Sequence, residues 1–125
     1  MENYVVEGSK TTPSILLDFT GYLKFSGRSI HEDPDKFFNP IVDWIKDYCA
    51  NPPVSETTVD VELEYFNSGA AKFLLSILQI LVKNLGEDHK LIINWCYESG
   101  DDDIMERGEY YSSLLDKKFV FTEID

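Results

Sequence analysis

Residues 59–97 constrain the fold more than any other part of the sequence, because two strand patterns here flank a helix pattern. Apolar and acidic residues alternate at the start, which predicts a strand whose core-facing residues are Val59, Val61, Leu63 and Tyr65. The most apolar segment, Ala70 to Leu85, predicts a helix with Gly86 as its C-cap. The nearly continuous apolar run from Leu91 to Tyr97 predicts an interior strand covered on both faces. Such a unit predicts an α/β sheet with a right-handed crossover.

The amino-terminal third predicts strands only. Tyr4–Val6 has the composition of a short edge strand. Apolar residues then alternate with their neighbours from Ile15 to Phe25, interrupted by the turn signal Thr20-Gly21. This pattern predicts a hairpin.

The next segment predicts an amphipathic helix, since one helical face collects the apolar residues Phe37, Ile41, Trp44, Ile45 and Tyr48. Two places resemble its start, because Asp33-Pro34 and Asn39-Pro40 both have the form of an N-cap followed by proline. A proline inside a helix costs about 3 kcal/mol. We therefore expect either a helix that begins near residue 40 or a separate turn over residues 34–38.

The carboxyl-terminal segment predicts a third helix from Asp101 to about Leu115 and a last strand at Phe119–Phe121. The full element order is then βββαβαβαβ. No repeat or linker interrupts the chain, so we expect one α/β domain over residues 1–125, with a mixed sheet and about three helices.

Charge and cysteine content narrow the classes of partner and compartment. Eleven basic and twenty-three acidic residues give a formal charge of −12, which argues against binding to nucleic acid or an anionic membrane. Cys49 and Cys96 form no CxxC motif and favour a reducing cytosol. No signal peptide is visible, and the most apolar segment is too short to span a bilayer. These features predict a soluble cytoplasmic protein.

The motifs of common catalytic sites are absent from the sequence. It has no glycine-rich phosphate loop and no GxSxG elbow. His31-Glu32 begins like HExxH, but Asp35 stands where the second histidine belongs. We expect no enzymatic activity, no cofactor and no metal site. The alternative from another class is a metal-assisted hydrolase that uses the Asp101–Asp103 cluster.

Ser68 lies where the strand of residues 59–65 gives way to the apolar helix, and two interpretations stay open. Asn67 or Ser68 can be the N-cap of the helix, with small residues that let the helix pack close to the sheet. Alternatively, Ser68 is a phosphorylation site beside free backbone N–H groups at the positive end of the helix dipole. Gly69 and Ala70 would then leave the hydroxyl open to another protein.

Two charged segments have similar alternatives. The acids Asp101, Asp102, Asp103, Glu106 and Glu109 can cap a helix, form a docking surface for a basic partner or bind a divalent metal. Arg28 can pair with a carboxylate or hold a phosphate. We expect His31, in the same segment as Arg28, to be an exposed loop residue.

An ordered set of segments extends along nearly the whole chain: Thr12-Pro13, Gly27-Arg28-Ser29-Ile30 with Glu32, Phe37-Phe38 through Pro40-Ile41 to Trp44 and Tyr48, Tyr65-Phe66-Asn67-Ser68, Trp95-Cys96-Tyr97-Glu98, Asp102-Asp103, Met105-Glu106 and Gly108-Glu109. This set resembles the SiaC family of bacterial regulatory phosphoproteins. The resemblance implies a single α/β domain similar to the STAS fold, without enzymatic activity of its own.

The resemblance also implies a function. The unphosphorylated form would bind and activate a diguanylate cyclase (SiaD-like), which raises cyclic-di-GMP and promotes biofilm formation or aggregation. A serine/threonine kinase (SiaB-like) would phosphorylate Ser68, and a PP2C-type phosphatase (SiaA-like) would reverse the modification. Gly69 and Ala70 stand where the family usually has two more hydroxyl residues, so Ser68 is the sole local acceptor. An anti-sigma-factor antagonist that uses the same serine is the alternative.

From these interpretations we expect partner contacts at Tyr65, Asn67, Gly69, Ala70, Arg28, Asp102, Asp103 and Glu106.

Overall fold

The computed structural model describes residues 1–124, which form six strands and three helices. The strands are β1 (Tyr4–Val6), β2 (Ser14–Asp18), β3 (Tyr22–Ser29), β4 (Glu56–Phe66), β5 (Lys90–Glu98) and β6 (Val120–Ile124). The helices are α1 (Pro34–Ala50), α2 (Ser68–Asn84) and α3 (Asp102–Leu114). The predicted element order and the mixed α/β architecture are confirmed.

All six strands lie in one sheet in the order in which they occur along the chain. β1, β2 and β3 pair antiparallel, whereas β3 to β6 pair parallel and are connected by the three helices. Right-handed crossovers between adjacent strands place these helices on one face of the sheet. The core between that face and the helices contains, from the central strands, Leu23, Phe25, Val59, Val61, Ile93 and Trp95.

The other sheet face is polar and only partly buried. On this face Asp60 accepts two hydrogen bonds from the neighbouring strands. Tyr22 donates one of 2.6 Å to Oδ2, and Asn94 donates one of 2.7 Å to Oδ1. β5 is interior, as predicted, since it lies between β4 and β6. The prediction that both of its faces are covered was wrong for Ile92 and Asn94, which are half-buried on the face without helices in residues 1–124.

Helix α1 begins at Pro34 and continues through Pro40, so both expected arrangements of this segment were wrong. The first turn is stable because Asp33 accepts a hydrogen bond from the Lys36 amide and because Phe38 is buried. The Phe38 ring stacks on Phe73 of α2 with 5.2 Å between the ring centres. Pro40 has no N–H, so the carbonyl of Lys36 lacks its hydrogen bond within the helix. Lys36 is exposed, so water can reach this residue.

Two local details of β4 and α2 also differ from the sequence prediction. The carboxyl end of α2 is capped by Leu85, whose N–H donates to the Leu81 carbonyl at 3.1 Å, and not by Gly86. In β4 the register against β3 skips Glu64, because Gly27 pairs with Leu63 and Arg28 with Tyr65. This bulge ends the simple alternation, so Tyr65 is 56% exposed instead of facing the core, and the next residue, Phe66, is buried.

Candidate functional site

The carboxyl ends of β3, β4 and β5 meet at one edge of the sheet, where the three helices begin. In open α/β sheets this edge is where binding sites form, because loops and helix amino termini converge there. Ser68 is the first residue of α2 and lies at this edge. It is exposed, so its hydroxyl is accessible to a modifying enzyme.

Asn67 sets the position of Ser68 through contacts in three directions. Its side-chain Oδ1 accepts a hydrogen bond of 3.0 Å from the Ala70 amide, which makes it the N-cap of α2. Its Nδ2 donates to the His31 carbonyl at 3.3 Å, and its backbone N–H donates to the Ser29 carbonyl at 3.0 Å. The junction between β4 and α2 is therefore tied to the end of β3. Of the two predicted N-caps, Asn67 is the one observed.

The two small residues after Ser68 have different roles. A Cβ atom at Gly69 would lie 3.0 Å from Cγ of Pro34, so Gly69 lets the amino termini of α1 and α2 approach each other. Ala70 is 2% exposed and belongs to the core. We therefore leave Ala70 out of the partner surface that the sequence suggested.

His31 does not behave as an exposed loop residue. Its ring is half-buried and lies 5.1 Å from the Phe37 ring and 6.1 Å from the Phe38 ring, measured between ring centres. Its Nδ1 lies 3.3 Å from the Thr11 carbonyl oxygen. These aromatic contacts make His31 part of the packing beneath the junction, which its position in a polar segment did not suggest.

A groove lies beside this junction, between the end of β4 and the first three turns of α3. It has a volume of about 460 Å³ and is lined by Glu64, Tyr65, Phe66, Asp101, Asp103, Ile104, Glu106, Arg107 and Tyr110. We call it the acidic groove, since four of these residues are carboxylates. Two exposed aromatic residues, Tyr65 and Tyr110, also line it and are 56% and 61% exposed. Exposed aromatic rings among charges are typical of protein-binding surfaces.

Arg107 is the one cation among the described residues that line the acidic groove. Its guanidinium lies over the Phe66 ring, 5.1 Å from the ring centre, in a cation–π contact. Arg107 and Tyr110 were not among the predicted site residues. Helical spacing could have found them, because Asp103, Glu106, Arg107 and Tyr110 follow each other at intervals that place them on one face of a helix.

The comparisons with known proteins agree with this fold. A family model described as "SiaC family regulatory phosphoprotein" matches residues 6–124. The chain belongs to the SiaC family.

Relatives of this SiaC-family chain come from Pseudomonas aeruginosa. An uncharacterized protein of strain UCBPP-PA14 is 24% identical over 112 residues, which cover 89% of this chain and 88% of that protein. The crystal structure of apo-SiaC aligns with a TM-score of 0.82 at 22% identity and covers 100% of both chains. A chain in the crystal structure of the diguanylate cyclase SiaD in complex with its activator SiaC aligns with a TM-score of 0.88 at 22% identity, covering 97% of this chain and 99% of that chain. The two structures share the fold of this chain.

The SiaC-family fold brings some of the sequence-predicted site residues together and separates others. Tyr65, Asp103 and Glu106 line the acidic groove, whereas Asp102 does not. Arg28 pairs with Glu64 at 3.3 Å, and both side chains are largely exposed. Its predicted carboxylate partner is thus present at the rim of the groove.

Asp101 has the helix-capping role that the sequence offered as one alternative, since it accepts a hydrogen bond of 3.1 Å from the Ile104 amide. Within residues 1–124, no three side chains of the metal-ligating types converge on a common point. Both cysteines are free and buried, and burial raises the pKa of Cys49 to about 11. None of the helices in the described range combines the length and the apolar character needed to cross a membrane.

Proposed function

We propose that this chain is a cytoplasmic, non-enzymatic regulatory protein that binds and activates a diguanylate cyclase while Ser68 is unphosphorylated. A serine/threonine kinase related to SiaB adds the phosphate, and a PP2C-type phosphatase related to SiaA removes it. The observation that carries the proposal is the exposed Ser68 at the start of α2, in a chain of the SiaC family. The likeness to SiaC in its complex with the cyclase SiaD suggests the class of partner.

The partner surface combines the junction and the acidic groove. Tyr65 and Tyr110 offer aromatic contact area, and Asp103 and Glu106 offer negative charge for a basic segment of the partner. Four further predicted contacts, Asn67, Gly69, Arg28 and Asp102, belong to the same edge of the sheet or to its rim. We place the partner across this edge, in contact with the exposed Ser68.

Phosphorylation ends the binding because the phosphate is bulky and strongly hydrated. A phosphate adds a charge of about −1.5 to −2 at neutral pH, next to a groove that already contains four carboxylates. A partner packed over Ser68 would have to accommodate a hydrated dianion. A charge left buried and unpaired at an interface costs about 2–5 kcal/mol. That is enough to release the partner.

The test is a set of Ser68 variants measured against the purified cyclase by calorimetry and by cyclase activity. Ser68→Ala should bind and activate as the unphosphorylated protein does, whereas Ser68→Asp and phosphoserine at position 68 should bind at least about tenfold more weakly. Ser113→Asp is the matched control, because Ser113 is exposed near the far end of α3. It should leave binding unchanged.

Two results would overturn parts of the proposal. If phosphoserine at position 68 left cyclase binding unchanged, the switch would be wrong. If the unphosphorylated protein bound an anti-sigma kinase and not the cyclase, the switch would stand and the partner would be wrong.

A further inference from the structure

Within residues 1–124, Arg107 forms no ion pair, although its environment is acidic. Asp103 and Glu106 precede it on the same helix, yet within residues 1–124 no carboxylate lies within 4.0 Å of its side-chain nitrogens. Its side chain extends instead over Phe66. An exposed cation–π contact of this kind is weaker than a bidentate, charge-assisted pair with an anion. A stronger anionic ligand can therefore displace the guanidinium from the ring.

Two contacts place this guanidinium beside the segment that contains Ser68. Phe66 precedes Ser68 by two residues, so their Cα atoms are at most about 7.6 Å apart. On the other side, Tyr111 donates a hydrogen bond of 3.4 Å to the carbonyl of Ala71, in the first turn of α2. Burial raises the pKa of Tyr111, and the Arg107 guanidinium beside the hydroxyl opposes that increase. Arg107 thus contacts Phe66 on one side of Ser68 in the sequence and Tyr111, which bonds to Ala71, on the other.

The amino terminus of α2 alone is a poor phosphate site, because its amides are partly occupied. The Ala70 amide donates to Asn67 Oδ1, and the Ala71 amide donates to the Asn67 carbonyl. Lys72 lies one turn after Ser68 and is exposed, but a lysine provides only a point charge on a flexible chain. An arginine provides two parallel N–H donors that match two phosphate oxygens.

We propose that Arg107 holds the phosphate on Ser68, leaving the ring of Phe66 to form a bidentate ion pair with two phosphate oxygens. The inference rests on the proposed function in one respect, namely that Ser68 is the residue modified. Movement of Arg107 has a second consequence, since it removes the only cation that the described lining residues supply to the acidic groove. The phosphorylated protein then presents a groove that differs in shape as well as in charge.

The test uses protein with phosphoserine incorporated at position 68 during translation, so that no kinase is needed. Phosphorus NMR follows the second ionisation of the phosphate across a pH series. The carboxylates of the acidic groove disfavour the dianion, whereas Arg107 in the groove and Lys72, one turn after Ser68, favour it. Arg107→Gln should therefore raise the second pKa of the phosphate by about half a unit or more, and Arg107→Lys should restore part of the difference.

Arg28→Gln is the matched control, because Arg28 is an exposed arginine at the same edge that is already paired with Glu64. It should change the phosphate titration less than Arg107→Gln does. Equal titration curves for the parent protein and Arg107→Gln would overturn the inference, as would a crystal structure of the phosphorylated protein with Arg107 still over Phe66. Thermal unfolding of each variant verifies that it is folded.

Cyclase binding, measured on the same samples, separates this inference from the proposed function. If Arg107→Gln shifts the phosphate pKa while the phosphorylated parent protein still binds the cyclase, Arg107 holds the phosphate and the proposed switch fails. If phosphorylation abolishes binding but Arg107→Gln leaves the titration unchanged, the switch stands and the role of Arg107 is wrong.

Discussion

Gly108 of α3 lies directly against the indole ring of Trp95. A Cβ atom at Gly108 would be 2.5 Å from both Cδ1 and Nε1 of that ring. The indole N–H donates a hydrogen bond of 2.8 Å to the carbonyl of Ile104, one turn earlier on the same helix. Trp95 is fully buried, so it fixes how close α3 lies to the sheet and therefore where the wall of the acidic groove stands.

Gly108→Ala should destabilise the protein, although alanine is the better helix former. The added methyl group has to displace the rigid indole of a packed core, and we expect a loss of about 1–3 kcal/mol in the free energy of unfolding, measured with urea. Gly86→Ala is the control, because nothing lies within 4 Å of a Cβ atom there. It should be neutral or stabilising by up to about 1 kcal/mol. Equal stability of the two variants would contradict the contact.

Asn67→Ala should lower the free energy of unfolding by about 1–2 kcal/mol, because it removes the N-cap of α2. It also removes the hydrogen bond to the His31 carbonyl. Asn67→Asp keeps the acceptor for the Ala70 amide and places a favourable negative charge at the helix amino terminus, so it should lose less. If Asp proved as destabilising as Ala in urea unfolding, the contact with His31 would be the more important of the two.

Pro40→Ala should stabilise α1. Alanine restores an N–H donor to the Lys36 carbonyl and removes a penalty of about 3 kcal/mol. It also makes the unfolded chain more flexible, which lowers the free energy of unfolding by about 0.4–1 kcal/mol. We expect a net gain of about 2–2.6 kcal/mol in thermal and urea unfolding. Pro34→Ala is the control at the first helical position, where the N–H has no partner within the helix. A gain at Pro34 as large as that at Pro40 would refute this explanation.

Tyr22 should make the protein sensitive to alkaline pH. Burial, with the hydrogen bond to Asp60 and the charge of Asp60, raises the pKa of Tyr22 from 10.0 to about 12. Because the folded pKa is the higher one, this contribution to stability is complete below the unfolded value and is lost as the pH rises through about 12. In urea unfolding across that range, Tyr22→Phe should lose stability less steeply than the parent protein. Parallel pH profiles would contradict the shift.

Local patterns in the sequence were sufficient for the element order. The alternation along β2, β3 and most of β4, and the helical spacing in α1, reflect which side of each element is buried, and each pattern repeats within a few residues. The junction at Ser68 was visible for the same reason, because an N-cap followed by small residues is a local signal. Asp101 at the start of α3 is a second example.

The departures arose where a distant contact outweighs the local pattern. Phe38 reaches Phe73 of another helix, and that contact stabilises a first turn that Pro40 alone would argue against. The bulge at Glu64 depends on how β4 pairs with β3, and it turns Tyr65 outward.

The sequence by itself therefore determined the kind and order of the elements and the place of the serine, because burial periodicity and capping depend on near neighbours. Only the tertiary structure decided that Arg107 lies over Phe66 and that two exposed tyrosines share one groove. These residues belong to separate elements, and no pattern within either element carries information about the other. The strand order, the crossover direction and the packing of α3 on Trp95 bring these residues of β4 and α3 together.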